Sequence, residues 1–147
     1  MIILDTNVVS ELMRTTPDPV VVAWARAQPP ELVHTSALTV AEVGYGIARL
    51  PPGRRRQLLA ATAEQVFTAF PGRVLPFDAA AAAAYGDVVT TRERAGTPIS
   101  ALDAQIAAIT RAHDAALATR NTNDFTGLEL DLVNPWTPPP HNSHPPR

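Results

Sequence analysis

Short apolar runs alternate with longer stretches of helical periodicity along this chain. Residues 2–4 are uninterrupted Ile and Leu, which is typical of a strand buried on both faces of a parallel sheet. The pattern predicts strands at residues 2–4, 32–35, 74–77, 116–119 and 130–133. It predicts helices at residues 8–13, 20–27, 39–50, 54–70 and 79–95, and another that begins after Ser100. This alternation predicts an α/β fold with a mainly parallel sheet of about four or five strands flanked by helices.

Polar residues at two predicted helix starts suggest how those helices are capped. Thr39 is expected to cap the helix at residues 39–50, with Glu42 three residues later in the capping-box pattern. Ser100 stands three residues before Asp103, which provides an N-cap and a first-turn acid for the last helix. Each of these acids therefore has a possible role in helix stability alone.

The composition favours a single globular domain and excludes sites that depend on cysteine. Of the 147 residues 46% are hydrophobic and 18% charged, so one domain with one hydrophobic core is expected. All 12 basic residues are arginine, and the net charge is −2, so any contact with nucleic acid must be local. Cysteine is absent, which excludes disulfides, thiolate zinc sites and a cysteine nucleophile. We expect a cytoplasmic protein, because the sequence has neither a secretory signal nor an apolar stretch of about 18 residues.

Four carboxylates stand where the predicted fold would bring them to one edge of the sheet. Asp5 follows the first strand, Glu42 opens a helix after the second, and Asp103 opens the helix before the fourth. Asp124 lies in the loop after the fourth strand. Ligands of open α/β sheets bind outside the carboxyl ends of the strands, which is the edge these acids would share. Polar residues accompany them in the sequence: Thr6, Asn7, Ser36, Thr119, Asn121 and Asn123.

Such a cluster needs a counter-charge. Two unit charges about 4 Å apart repel by roughly 4 kcal/mol at an effective dielectric near 20. Either protons or cations must relieve this repulsion, and hard carboxylate oxygens suit Mg²⁺ or Mn²⁺. One or two such ions would activate a water and stabilise the leaving oxygen of a phosphodiester.

Simpler roles remain open for each acid. The sole role of Asp5 could be to cap the following helix, and that of Glu42 could be to complete a capping box. The sole role of Asp103 could be to interact favourably with the helix dipole. Asp124 could be an ordinary loop acid. The run of arginines at positions 54–56 is expected to form a solvated helix face, with RNA contact as the alternative.

The same residues lie in segments that resemble the PIN-domain family. ILDTNVVSEL, TVAEVGYGI, SALDAQIAA and ATRNTNDF followed by NPW occur in the family's order. Within the family the chain resembles a VapC/FitB-type toxin of a bacterial toxin–antitoxin pair. The resemblance covers residues 1–136 as a single PIN domain and leaves residues 137–147 as a Pro-rich tail, expected to be largely disordered, with His141 and His144.

The resemblance implies a PIN-like fold and a Mg²⁺-dependent endoribonuclease, with Mn²⁺ as a possible substitute. Asp5, Glu42, Asp103 and Asp124 match the family's acidic catalytic and metal-binding positions. Thr6, Asn7, Thr119 and Asn121 resemble its supporting polar groups. The implied partners are an RNA substrate, a second copy of the chain in a homodimer, and a VapB/FitA-like antitoxin. The chain would contact operator DNA only through this antitoxin.

Three other classes of protein compete with this interpretation. A haloacid-dehalogenase-type phosphatase would need Asp-x-Asp, but position 7 is Asn7, and the chain has no lysine partner. A phosphorylatable receiver domain fails for the same reasons. A catalytically silent PIN-fold module that only engages the antitoxin or nucleic acid stays open, although the complete set of four acids favours an enzyme.

Overall fold

A five-stranded parallel sheet forms the centre of the protein. A computed structural model describes residues 1–138, so His141 and His144 lie outside the described residues. The strands are β1 Ile2–Leu4, β2 Val33–Ser36, β3 Val74–Leu75, β4 Ala116–Ala118 and β5 Asp131–Val133. Their order is β3-β2-β1-β4-β5, and each neighbouring pair is parallel. The predicted α/β fold with a parallel sheet is confirmed.

Six α-helices and two short 3-10 helices connect the strands within residues 1–138. The α-helices are α1 Thr6–Leu12, α2 Pro19–Ala27, α3 Ala37–Ala48, α4 Arg54–Thr68, α5 Ala79–Arg94 and α6 Ala101–Ala112. The 3-10 helices are Pro30–Leu32 and Thr122–Phe125. No helix in this part of the chain is long and apolar enough to span a membrane.

The sheet is buried on both faces, as the uninterrupted apolar first strand predicts. Successive residues of a strand face opposite sides of the sheet. Accordingly Ile3 packs with α5 and α6 in one buried cluster, whereas Leu4 packs with α1, α2 and α3 in another. Because β1 is central and covered on both faces, its carboxyl end is held in a fixed position between α1 and β4.

The start of α3 differs from the sequence prediction. Ser36, which is fully buried, is the N-cap, and its hydroxyl accepts a hydrogen bond of 3.2 Å from the backbone N–H of Thr39. Thr39 therefore lies inside the helix, and the prediction that it caps α3 is wrong. Glu42 lies in the second turn and does not form a capping box. Both Ser36 and Thr39 are good N-cap residues, and the end of β2 at Ser36 decides between them.

Candidate active site

Asp5 lies at the carboxyl end of β1, in the middle of the sheet. Its backbone N–H continues the sheet pairing by donating to the carbonyl of Ala118 at 2.9 Å. Its carboxylate caps α1 by accepting from the N–H of Thr6 at 2.8 Å, and it accepts the Thr119 hydroxyl at 2.8 Å. Only 5% of Asp5 is exposed. Capping is thus one role of this side chain, and its second oxygen is held by a residue that follows β4.

Asn7 and Thr119 link the start of α1 to the loop after β4. The Asn7 amide donates to the Thr119 hydroxyl at 3.2 Å and to Asp5 at 3.4 Å. Its carbonyl oxygen accepts from the backbone N–H of Arg120 at 3.2 Å. Thr119 also accepts from the backbone N–H of Asn121 at 3.1 Å. Every hydrogen bond of this network fixes the position of Asp5 or of the loop that leads to Asp124.

Glu42 extends from α3 toward α1. The Thr6 hydroxyl donates to its Oε2, and the Thr6 and Thr39 hydroxyl oxygens are 3.1 Å apart. The carboxylate therefore binds a neighbouring helix rather than the N-terminus of its own helix. This contact replaces the predicted capping box and places Glu42 next to the residue that follows Asp5.

Asp103 and Asp124 complete the group. Asp103 is half-buried in the first turn of α6, and its backbone N–H donates to the Ser100 hydroxyl at 3.2 Å, as predicted. Asp124 is exposed in the 3-10 helix Thr122–Phe125, where its N–H donates to the carbonyl of Asn121 at 3.0 Å. Asp103 precedes β4 in the sequence and Asp124 follows it, and the charge of Asp124 raises the pKa of Asp103.

The charges of neighbouring acids influence the pKa values of Asp5 and Asp103. Burial raises the pKa of Asp5, and the charges of Glu42 and Asp124 raise it further, against the hydrogen bonds from Thr119 and Thr6. Burial likewise raises the pKa of Asp103, with contributions from Asp5 and Asp124. Each carboxyl is thus easier to protonate than usual, because its charged form is poorly solvated and lies near other negative charges.

The donors of this site fit a hard divalent cation. All of them are carboxylate or hydroxyl oxygens, the ligands that Mg²⁺ and Mn²⁺ prefer. In residues 1–138 no three acidic or histidine side chains converge closely enough to hold one ion among themselves. Mg²⁺ does not need such a cage, since it usually keeps several waters and binds through one or two carboxylates. A cation here would also offset the charge that raises the two pKa values.

Arg92 supports the segment that carries Asp124, a role that the sequence analysis did not predict. It comes from α5, is only 6% exposed, and has no carboxylate partner among the described residues. Its Nη1 donates to the carbonyls of Asn123 and Thr126, at 3.3 and 2.9 Å, and to the Thr126 hydroxyl at 3.0 Å. These acceptors flank Asp124, so the buried guanidinium holds the short helix that carries this acid.

Comparison with known proteins identifies the family of this chain. Residues 2–128, which include all four acids, match the family model described as PIN domain. The chain belongs to the PIN-domain family.

This PIN domain has relatives that match it along nearly their whole length. It is 45% identical to VapC ribonuclease Y4jK of Sinorhizobium fredii, over 94% of this chain and 99% of the relative. It is 41% identical to Toxin FitB of Neisseria gonorrhoeae, over 92% and 99% of the two chains. A solved structure of FitAB bound to a DNA fragment superposes with a TM-score of 0.89 at 40% identity, covering 96% of this chain and 99% of that chain.

Proposed function

We propose that this PIN domain is a Mg²⁺- or Mn²⁺-dependent endoribonuclease that acts as the toxin of a toxin–antitoxin pair. The observation that carries the proposal is the group of four acids at the carboxyl end of the parallel sheet, centred on Asp5, whose pKa is raised by burial and by the charges of Glu42 and Asp124. A capping role alone does not require acids from four different segments to lie at the same edge of the sheet. The relatives named as a VapC ribonuclease and as Toxin FitB support the same activity.

The residues of the chain would act mainly by holding and orienting charge. Asp5 is buried and Asp103 is half-buried, and the charge of Asp5 raises the pKa of Asp103. We propose that these two acids bind the ion directly, with Glu42 and Asp124 completing its surroundings. When bound, the ion would lower the pKa of a water and neutralise charge on the phosphodiester. The hydroxyls of Thr119 and Thr6 fix the orientation of Asp5 and Glu42, so that little reorganisation is needed when RNA arrives.

We further propose that a cognate antitoxin inhibits the enzyme with a basic side chain. A carboxylate cluster attracts a cation, and an arginine can donate paired hydrogen bonds to it. A largely apolar groove of about 320 Å³ runs from Thr6 and Glu42 between α1, α3 and α4, with Val43 and Ile47 in its wall. An apolar segment of the antitoxin would bind there and deliver the basic residue. Removing that residue from the antitoxin should weaken inhibition of cleavage more than it weakens complex formation.

The test of the nuclease activity is cleavage of a fluorescently labelled structured RNA by purified protein. We expect cleavage in Mg²⁺ or Mn²⁺, none in EDTA, and none by Asp5→Asn in either ion. Asp18→Asn is the matched control, because Asp18 is also an N-cap carboxylate but belongs to α2. Equal cleavage in EDTA and in Mg²⁺ would exclude the proposed chemistry. A protein that binds RNA or antitoxin but never cleaves would instead be the catalytically silent module.

A further inference from the structure

A surface groove lined by arginines lies next to the groove that contains Glu42. The groove beside Thr6 and Glu42 also includes Arg14 and Arg55 in its wall. A second groove of about 740 Å³ shares these two arginines and adds Arg54. We call this second groove the arginine bay. It is formed by residues 13–16, which follow α1, on one side and by the part of α4 from residue 54 to residue 62 on the other.

The bay concentrates positive charge on a chain whose net charge is −2. Arg54 and Arg55 are exposed, and neither has an ion-pair partner among residues 1–138. Arg14 contacts Glu11 at 3.3 Å, but its side chain is still 65% exposed. At least two guanidinium groups are therefore available to an anionic ligand, within a concave surface that leads to Glu42.

The position of these arginines is unfavourable for the helix that carries them. Residues 54–56 of α4 are all arginine, its first turn contains no acid, and Gly53 provides no side-chain cap. The N-terminus of a helix carries partial positive charge and favours acids, so cations there repel it. Helix stability alone does not explain this sequence, whereas an anion bound in the bay would interact favourably with the guanidinium groups and with the helix end.

We propose that the arginine bay binds the phosphate backbone of the RNA substrate on one side of the cleaved bond. This inference rests on the proposed function. A single strand that crosses the acidic site has phosphates beyond the scissile one, and these need positive charge because the four acids repel them. The groove that contains Glu42, Arg14 and Arg55 connects the edge of the acidic site with this charge. An antitoxin segment that offers a cation to the acids has no such need, so the charge of the bay favours RNA over the protein partner.

The experiment compares single substitutions that remove one charge and keep most of the side chain. Arg54→Gln and Arg55→Gln are tested against the control Arg26→Gln. Arg26 lies in the last turn of α2 and lines a different groove, which includes none of the four acids. The substrate is a fluorescently labelled single-stranded RNA of mixed sequence. Cleavage rates in Mg²⁺ are measured over a range of NaCl concentrations, and melting temperatures verify folding.

We expect each bay variant to raise KM about fivefold, the factor that one charge pair near 4 Å supplies in water, with little change in kcat. The slope of log(kcat/KM) against log[NaCl] should become shallower by about 0.7 for each phosphate contact that is lost. Arg26→Gln should match wild type. The melting temperatures of the bay variants should equal or exceed that of wild type, because a cation leaves the N-terminus of α4.

Failure of this inference differs from failure of the nuclease proposal. If wild type cleaves but Arg54→Gln and Arg55→Gln match Arg26→Gln, the bay does not bind RNA. Normal cleavage combined with weaker inhibition by the antitoxin would assign the bay to the protein partner and also overturn the inference. If wild type never cleaves, fluorescence anisotropy with the same RNA decides. If binding depends on salt and only the bay variants weaken it, the arginine bay binds RNA but the nuclease proposal is wrong. If all variants bind equally, the arginine bay does not bind RNA.

Discussion

Arg92→Met should weaken ion binding at a site that its side chain does not touch. The substitution keeps a side chain of similar length but removes three hydrogen bonds, of 2.9 to 3.3 Å, to the segment from Asn123 to Thr126. Because this segment carries Asp124, its loosening should let the acid move away from Asp5 and Asp103. The groups that orient metal ligands typically contribute 10–100-fold to metal affinity, and we expect a loss of about that size.

The effect on global stability should be smaller than three hydrogen bonds suggest. Hydrogen bonds to charged groups contribute about 1.5–3 kcal/mol each, but Asn123 and Thr126 are exposed and water can replace the lost donor. Removing a buried cation whose Nε has no hydrogen-bond partner in residues 1–138 also offsets part of the loss. We therefore expect the free energy of unfolding to fall by only about 1–3 kcal/mol.

The assay is titration of the metal-free protein with Mn²⁺, with free Mn²⁺ followed by electron paramagnetic resonance, on four proteins in a double-mutant cycle. These are wild type, Arg92→Met, Asp124→Asn and the double variant. If Arg92 acts by positioning Asp124, then Arg92→Met should change the affinity less than about twofold once Asp124 is already replaced. Arg92→Lys should recover part of the affinity, because it keeps one charged donor. Equal losses in both backgrounds would refute the positioning role and leave Arg92 as a general support of the fold.

Three further predictions concern the acids and the α3 cap. Asp5→Asn should abolish RNA cleavage and growth inhibition. The free energy of unfolding in EDTA should stay within about 1 kcal/mol of wild type, because loss of a buried charge and of its repulsion offsets weaker hydrogen bonds. Retained toxicity would mean that Asp5 only caps α1. Raised pKa values of Asp5 and Asp103 mean that the folded, metal-free protein binds protons more tightly than the unfolded chain. The free energy of unfolding in EDTA should therefore increase as pH falls from neutral through the raised pKa values toward 3.8, and it should increase less in Asp5→Asn. Urea titrations that show the same pH dependence for both proteins would contradict this. Ser36→Ala should lower the free energy of unfolding by about 1 kcal/mol through loss of the α3 cap, whereas Glu42→Gln should leave it nearly unchanged in urea titrations. A larger loss in Glu42→Gln than in Ser36→Ala would favour the predicted capping box instead.

The sequence was sufficient to predict the parallel α/β architecture and the place of Asp5 at the carboxyl end of its first strand. Apolar runs mark the strands, and Asp5 directly follows the first of them, so the rule for ligand sites in parallel sheets applies without knowledge of strand order. Ser100 was also predictable as an N-cap, because a helix with an acid in its first turn follows it, and its hydrogen bond confirms the prediction. These features depend on local patterns.

The features that escaped prediction depend on contacts between distant segments. Arg92 and Arg94 are alike in local sequence, and only the packing of α5 against a segment about thirty residues later buries one and leaves the other exposed. The role of Glu42 depends on the contact between α3 and α1 and on the register of the helix, which Ser36 rather than Thr39 sets. No hydrophobic pattern encodes either contact.

Binding of Mn²⁺ to the metal-free protein tests most directly whether the four acids form a metal site. Wild type, Asp5→Asn and Asp18→Asn would be titrated with Mn²⁺ at neutral pH, with free Mn²⁺ followed by electron paramagnetic resonance. Wild type and Asp18→Asn should bind with the same affinity, because the Asp18 carboxylate only accepts from the N–H of Val20 at the start of α2. Asp5→Asn should lose this binding while remaining folded. Binding of Mn²⁺ to Asp5→Asn as tight as to wild type, or no binding by any of the three proteins, would contradict a metal site at these acids.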